Sequence, residues 1–429
     1  MRFFAESHLP PTACTLADRP HPPPTAAPAP ADRLRLGRPP AIRPHLHLAH
    51  GFGLWYDSRM IIRLVKSIRN ADKISAGIVA VLAVLSILMV GSTAISTTGF
   101  WCRDTIVQTG AYIIGLVLAA VIMVVDYHAY KGSIRGLYVL SLLLLLSVYI
   151  PGLGVEQFGA RSWINLGITT VQPSEIVKIL FALIMAEYLD THRDELYSFR
   201  GLVRAGIVAA PIIAIVLKED LGSALVFMTM WLAMVFFAGL SLKVFARFLV
   251  IVAVLIPPAY FVMADYQKER IASFLHPNNL GLAGNYQVYE SKIAIGSGGV
   301  FGKGLFHGTQ KELDFIPVQK SDFIFSVVAE ELGLIGGLIL IGLFLWLMIR
   351  FMRVAIEAVD LYGALIVVGF IGMFIFQIFE NIAMTMGLMP VTGITLPFLS
   401  YGGSSIIANM MAFGFIMTVH ARSRNIRFN

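Results

Sequence analysis

From Ile74 to Ile95 the chain runs without a single charged residue, and it repeats that behaviour along most of its length. About 20 mostly apolar residues is what an α-helix needs to cross a bilayer, so these runs leave little choice of environment. Ten segments qualify: Ile74–Ile95, Ile106–Val125, Ile134–Ile150, Pro173–Leu189, Leu202–Leu217, Leu221–Leu240, Val244–Met263, Ile324–Ile349, Leu361–Phe379 and Ser404–His420. Composition agrees. Of the 429 residues 57% are hydrophobic and 14% charged, where soluble domains carry about a quarter charged. The expectation is an all-α polytopic integral membrane protein with ten transmembrane helices in one domain over residues 60–429.

The basic residues orient it. Arg63, Lys66 and Arg69 precede the first span, and Lys131 and Arg135, Arg193, Arg200 and Arg204, Lys243 and Arg247, Arg350 and Arg353, and Arg422, Arg424 and Arg427 fall on alternate connections. Connections rich in Lys and Arg stay cytoplasmic, which puts both termini inside. The long loop between spans seven and eight, about 264–323, then lies outside. The formal charge of +7 is spread over many loops, which suits anionic lipid and not nucleic acid.

Residues 1–59 differ in kind. The Pro-, Ala-, His- and Arg-rich stretch from His21 lacks periodicity and is expected to be disordered; Met60 opens a more natural membrane-protein start, and the tail is expected to be dispensable or not native. It has no apolar core of signal-peptide length. Cys14 and Cys102 are too few for a disulfide framework.

Ionisable groups next to or inside the spans carry two readings each. Glu175 and Lys178 are three apart, hence neighbours on one helix face; they form either a local ion pair, with Glu175 near enough to the interface to be partly solvated, or part of a site. Asp322 is either the N-cap of span eight or a proton acceptor whose pKa is raised by Phe323, Ile324 and Phe325 and lowered by Lys320. Glu330 and Glu331 sit deeper, one to meet a cation and the other to support the helix. "GSGGVFGKG" from Gly296 fails the Walker pattern and reads as flexible turns whose amides and Lys303 could still meet a pyrophosphate. "SYGGSS", with Ser400 and Gly402, suits a re-entrant turn whose hydroxyls satisfy backbone at membrane depth. Trp163 is an interfacial anchor or a ligand stack. No His/Asp/Cys cluster has metal-ligand spacing.

"GARSWINLG", "QPSEIVKI", "EDLGSA", "YESKIAIGSGGVFGKG", "HGTQKELDFIP", "SDFIFSVVAEELG" and "LPFLSYGGSS" occur in that order. From span one to the C-terminus the chain resembles the shape, elongation, division and sporulation family, and its elongation branch more than its division branch. The resemblance implies a ten-span peptidoglycan glycosyltransferase of the bacterial cytoplasmic membrane. Such an enzyme polymerises lipid II outside the membrane beside a class B penicillin-binding protein and the elongation machinery. It implies an essential acid at Asp322, a membrane Glu–Lys pair at Glu175 and Lys178, a sensitive loop tryptophan at Trp163 and a second acid at Asp220. Lys218-Glu219 and Lys320-Ser321 depart from the family's usual neighbours of those two acids. Because pyrophosphate leaves as a stable anion, one base and positive charge are expected to suffice. Asp322 is the expected base, Lys178, Arg161, Lys292 and Lys303 the candidates for holding pyrophosphate. No cofactor is evident, although a divalent cation, Mg or Mn, could share that task. A lipid-precursor flippase and a structural scaffold are the other classes.

Overall fold

Polar caps and prolines cut the apolar runs into helices, in a computed structural model that describes residues 69–95, 99–157, 160–165, 167, 170–282, 284–309 and 319–427. Asp72 caps α1 (Lys73–Ala94), accepting from the Ile74 amide at 3.3 Å and Ser75 Oγ at 2.5 Å; these are groups that a first turn leaves without helical partners. Then come α2 (Arg103–Val124) and α3 (Ile134–Leu146), the latter continued by a 3-10 turn over Ser147–Tyr149. Helix α4 (Pro173–Thr191) opens on Pro173, where a missing amide costs nothing. Next are α5 (Phe199–Glu219), α6 (Leu221–Phe237), capped by Asp220, and α7 (Leu242–Val262). Two further helices, α8 (Asp265–Leu275) and α9 (Asn285–Ser297), precede α10 (Ile324–Ile356), α11 (Leu361–Thr385) and α12 (Gly403–Arg427).

A helix therefore stands on each of the ten apolar segments. Among the described residues six of them, α1, α2, α5, α10, α11 and α12, are long and apolar enough to cross a membrane. The protein is a mostly helical, multi-pass membrane protein. Residues 1–68, and with them the disordered-tail and Met60 expectations, lie outside the described residues.

Two expectations change. The all-α reading misses a three-stranded antiparallel sheet of β1 (Gly154–Gln157), β2 (Ala160–Asn165) and β3 (Thr170–Val171), in that spatial order. Val155 pairs with Trp163 and Ile164 with Val171. β-Branched and aromatic residues favour strands, but strands this short give almost no periodic signal. The stretch read as one long loop before Asp322 also contains α8 and α9.

Burial sorts the helices. Residues of α4, α11 and α12 are buried around much of their circumference, and α11 packs between α6, α10 and α4. Close approach is bought with glycine: a Cβ at Gly414 of α12 would lie 2.8 Å from Ala119 Cα of α2, and one at Gly115 of α2 would lie 2.8 Å from Met410 Cβ. Other helices keep an apolar stripe outward. On α10, Leu334, Leu338, Leu345, Ile349 and Ile356 are exposed, while Leu340, Phe344, Leu347 and Phe351 face inward. Leaving such a side chain in water forfeits roughly 1.5–3 kcal/mol, so the outward stripe belongs against lipid.

Candidate active site

Asp322 is not the cap of α10. Phe323 takes that position, and Ser326 folds back to donate its hydroxyl to the Phe323 carbonyl at 2.6 Å. The aspartate, half-buried, is thus not committed to the helix start. Its backbone is pinned from α11, where Asn381 Nδ2 donates to the carbonyls of Asp322 and Ile394, both at 2.8 Å. Gly393 (φ 76°) backs the carboxylate, since a Cβ there would lie 3.6 Å from Asp322 Oδ2. Burial pushes the Asp322 carboxyl up to about 6; a hydrogen bond from Ser321 and the charge of Arg270 oppose the shift, and Asp220 adds to it. A carboxylate poised there accepts a proton near neutral pH far better than an ordinary one.

Asp220 does what Asp322 does not. Its carboxylate accepts from the Ser223 amide at 3.0 Å and Ser223 Oγ at 2.7 Å, capping α6, and from Gln172 Nε2 at 3.1 Å. It also lines a small cleft, of about 30 Å³, with Arg161, Tyr149, Ser174 and Glu219. Glu219 accepts from Tyr149 Oη at 2.8 Å and the Arg161 amide at 3.0 Å. Trp163 sits two residues along β2 from Arg161, half-buried.

Glu175 and Lys178 pair at 2.7 Å, and both are buried: Lys178 is 1% exposed and Glu175 6%. The partly solvated Glu175 of the sequence reading is corrected, because neighbouring helices cover the start of α4. Glu175 Oε2 has no hydrogen-bond partner. Among the described residues no hydrogen bond joins this pair to Asp322.

The glycine stretch is not a set of loose turns. Helix α10 breaks at Gly333 (φ 68°, ψ −167°), and the segment after α9 fills the break. The Leu334 and Ile335 amides donate to the Gly299 and Val300 carbonyls at 2.9 and 3.2 Å, while the Lys303 and Gly304 amides donate to the Glu330 and Glu331 carbonyls, both at 3.0 Å. Lys303 Nζ meets Glu330 Oε1 at 2.7 Å, and the Thr309 amide meets the same oxygen at 2.8 Å. Glu331 accepts from Ser92 of α1 and from the Phe306 amide. Both glutamates thus hold this segment in place, and the Gly302, Lys303 and Gly304 amides, offered to a pyrophosphate in the sequence reading, are occupied.

Ser400 and Gly402 lie in irregular backbone between α11 and α12. Gln108 of α2 donates to the Ser400 carbonyl at 3.0 Å and accepts from the Gly402 amide at 3.2 Å, and Ser400 Oγ accepts from the Leu396 amide at 2.8 Å. These bonds satisfy backbone that lacks a helical partner in an apolar setting.

Lys292 and Arg270 border a second cavity, of about 160 Å³, between α8, α9 and residues 387–391. Arg270 Nη1 donates to the Thr392 carbonyl at 3.0 Å, and Thr392 Oγ1 donates to Glu380 Oε1 at 2.5 Å. Sequence reading singled out none of Arg270, Gln172, Glu380, Asn381 and Thr392. Glu380-Asn381 stands directly at the end of an apolar span, which was a usable signal; Arg270, on a short amphipathic helix, had none. Among the described residues no group of three or more His, Cys, Asp or Glu side chains forms a metal cage, and no step below depends on a divalent ion.

The comparisons follow. The family model described as "Cell cycle protein", covering FtsW, RodA and SpoVE, matches residues 73–425. The peptidoglycan glycosyltransferase MrdB of Escherichia coli K12 is 36% identical over 81% of this chain and 92% of its own. Stage V sporulation protein E of Bacillus subtilis is 40% identical over 72% and 85%. A chain solved in a study of how a peptidoglycan synthase complex coordinates polymerization and crosslinking superposes with TM-score 0.69 at 30% identity, over 82% of this chain and 98% of that one. Thermus thermophilus rod shape determining protein RodA superposes with TM-score 0.60 at 29% identity, over 82% and 96%. A match of this length and depth leaves one conclusion: the chain belongs to the shape, elongation, division and sporulation family.

Proposed function

We infer that this chain is a peptidoglycan glycosyltransferase that polymerises lipid II during cell elongation. It acts from the bacterial cytoplasmic membrane, with ten spans, cytoplasmic termini and its reacting groups on the outer face. The observation that carries the chemistry is Asp322: a half-buried carboxylate not used as a helix cap, backed by Gly393, with its pKa pushed to about 6 and within electrostatic reach of Asp220 and Arg270.

The carboxylate takes the proton of a glucosamine 4-hydroxyl as its oxygen forms a bond to the anomeric carbon of a muramyl sugar. The bond from that carbon to the polyprenyl pyrophosphate breaks with inversion, and the pyrophosphate leaves with the electron pair. The proton then passes from Asp322 to water. Nearby cations stabilise the charge that develops on the leaving group. Apolar grooves between helices hold the polyprenyl tails. A class B penicillin-binding protein, working with the elongation machinery, is the partner that this reading calls for, in keeping with the synthase complex to which the fold is similar.

The test is purified protein with its partner and lipid II in detergent, scored for glycan polymer. Asp322→Asn should lower the rate by roughly 10²- to 10⁴-fold, the usual range for a lost general base, with helicity intact and no loss of thermal stability. A folded Asp322→Asn protein that polymerises at the normal rate rules the assignment out. Polymer made in detergent also separates this reading from a flippase, which has no second leaflet to serve there.

A further inference from the structure

Resting on the reading of Asp322 as the base, we propose that Glu380 and Asn381 are its positioning residues. Consecutive and buried near the end of α11, they clamp residues 392–394 and the Asp322 backbone into one rigid unit.

Asn381 is fully buried, and its side-chain amide donates to two carbonyls, those of Asp322 and Ile394. Both partners are acceptors, so only the nitrogen can face them. Asn381 Oδ1 is left buried without a partner, and a stranded acceptor costs about 1–3 kcal/mol. That penalty offsets much of what the two bonds contribute to stability. What the asparagine supplies is therefore geometry: it joins the start of α10 to the segment that leads into α12.

Glu380, also fully buried, takes the same segment two residues earlier by accepting the Thr392 hydroxyl at 2.5 Å. The two side chains thus grip the residues on either side of Gly393. Thr392 and Ile394 are buried, whereas Gly393 is exposed, with φ 76°, and a Cβ there would lie 3.6 Å from Asp322 Oδ2. The start of α6 closes the segment's other side. A Cβ at Gly222 would lie 2.9 Å from the Thr392 carbonyl oxygen and 2.9 Å from Ile394 Cγ1. Gly393 is then a wall that cannot retreat from the carboxylate. Asp322 takes no part in capping α10, so its aim comes from this wall, from the Asn381 bond to its own carbonyl and from the Ser321 hydrogen bond. Aim matters for a base, because a misplacement of about 1 Å can cost roughly 10²-fold in rate.

Loss of the clamp lets the carboxylate turn toward water, which lowers its proton affinity and spoils its approach to the substrate hydroxyl. Asn381→Leu, similar in size and unable to donate, should lower kcat for lipid II polymerisation by about 10- to 100-fold with KM little changed. It should also move the rise of rate with pH to lower pH. Ser321, Arg270 and Asp220, the groups that act on Asp322, stay in place. Thr392→Val, which keeps the carbonyl that holds Arg270, should act the same way to a smaller degree. Thr392→Ser keeps the hydroxyl and should behave as wild type; this pair carries the test if Asn381→Leu does not fold. A second readout needs no polymer: the gain in melting temperature that Asp322→Asn gives at pH 7.5 should shrink in the Asn381→Leu and Thr392→Val backgrounds. Normal kcat with an unmoved pH limb in the folded variants, a fall that Thr392→Ser shares, or an undiminished melting gain overturns the clamp. A wild type that makes no polymer while the melting gain shrinks as stated sinks the glycosyltransferase reading and leaves the clamp standing, so the two failures are distinguishable.

Discussion

Two aspartates at two helix starts show how much a residue's role depends on its neighbours. Asp220 spends its oxygens on Ser223 and Gln172, whereas Asp322 stands one residue ahead of the α10 cap with its carboxyl raised to about 6. A base works only when ionised, so polymerisation should rise with pH through about 6 and fall roughly tenfold per unit below it. Asp220→Asn, which keeps the cap but removes a negative charge, should move that limb to lower pH; Arg270→Gln should move it higher. Rate measured against pH for the three proteins checks both signs. Stability runs the other way. Because the folded protein holds this carboxyl above its ordinary 3.8, ionised Asp322 costs stability above about pH 6, and that cost disappears below about 4. Asp322→Asn should therefore melt higher than wild type at pH 7.5 and lose the advantage in acid. The Glu175–Lys178 pair makes a separate prediction. Lys178→Ala strands a buried carboxylate and should cost about 3–5 kcal/mol, while Glu175→Leu with Lys178→Met, which buries no charge, should recover most of it. Chemical denaturation measures the recovery, and a polymerisation assay on the double variant shows whether the pair also serves the reaction.

At the scale of elements, the most informative feature is the break in α10. Gly333 takes a backbone conformation that L-residues avoid, and a Cβ there would lie 2.3 Å from the Gly302 nitrogen. The segment after α9 supplies the carbonyls that the broken helix lacks, and Glu330 and Glu331 anchor its far side through Lys303, Thr309 and Phe306. Gly333→Ala meets both strain and a backbone clash, and should destabilise by several kcal/mol, with the loss centred on residues 298–309. Hydrogen exchange checks this: faster exchange at the Lys303 and Gly304 amides with α11 still protected is the expected result. The glycines of this stretch were plain in the sequence, but their purpose was not. A glycine-rich loop that packs against a helix break and one that cradles phosphate share a composition, and only the occupied amides separate them.

For the whole molecule, lipid is the other half of the fold. The outward stripe of α10 and the covered faces of α4 and α11 have similar apolar composition, so hydrophobicity alone does not say which faces protein. The ten-span arrangement predicts that Asn278 and Asp322 share the outer side, opposite Lys131. In a Cys14→Ser, Cys102→Ser background, Asn278→Cys should react with a membrane-impermeant maleimide in intact cells, and Lys131→Cys only after permeabilisation. The reverse pattern would put Asp322 on the cytoplasmic side and remove the reading built on it.

Apolar length, alternation of basic connections and the ordered motifs are properties of the chain read in one dimension, and they were enough for a helical membrane protein of this family with Asp322 as its candidate base. Hydrophobic length is local, so no partner is needed to read it. What Asp322 meets is not local: Asn381, Gly393, Arg270 and Asp220 come from distant parts of the chain. The tertiary structure alone decided that the Glu175–Lys178 pair is buried, that Lys303 is neutralised by Glu330, that Asp220 caps while Asp322 does not, and that Arg270 and Lys292 face one cavity. Burial, charge pairing and proton affinity are set by what surrounds a group in three dimensions, and that is fixed only when the helices pack.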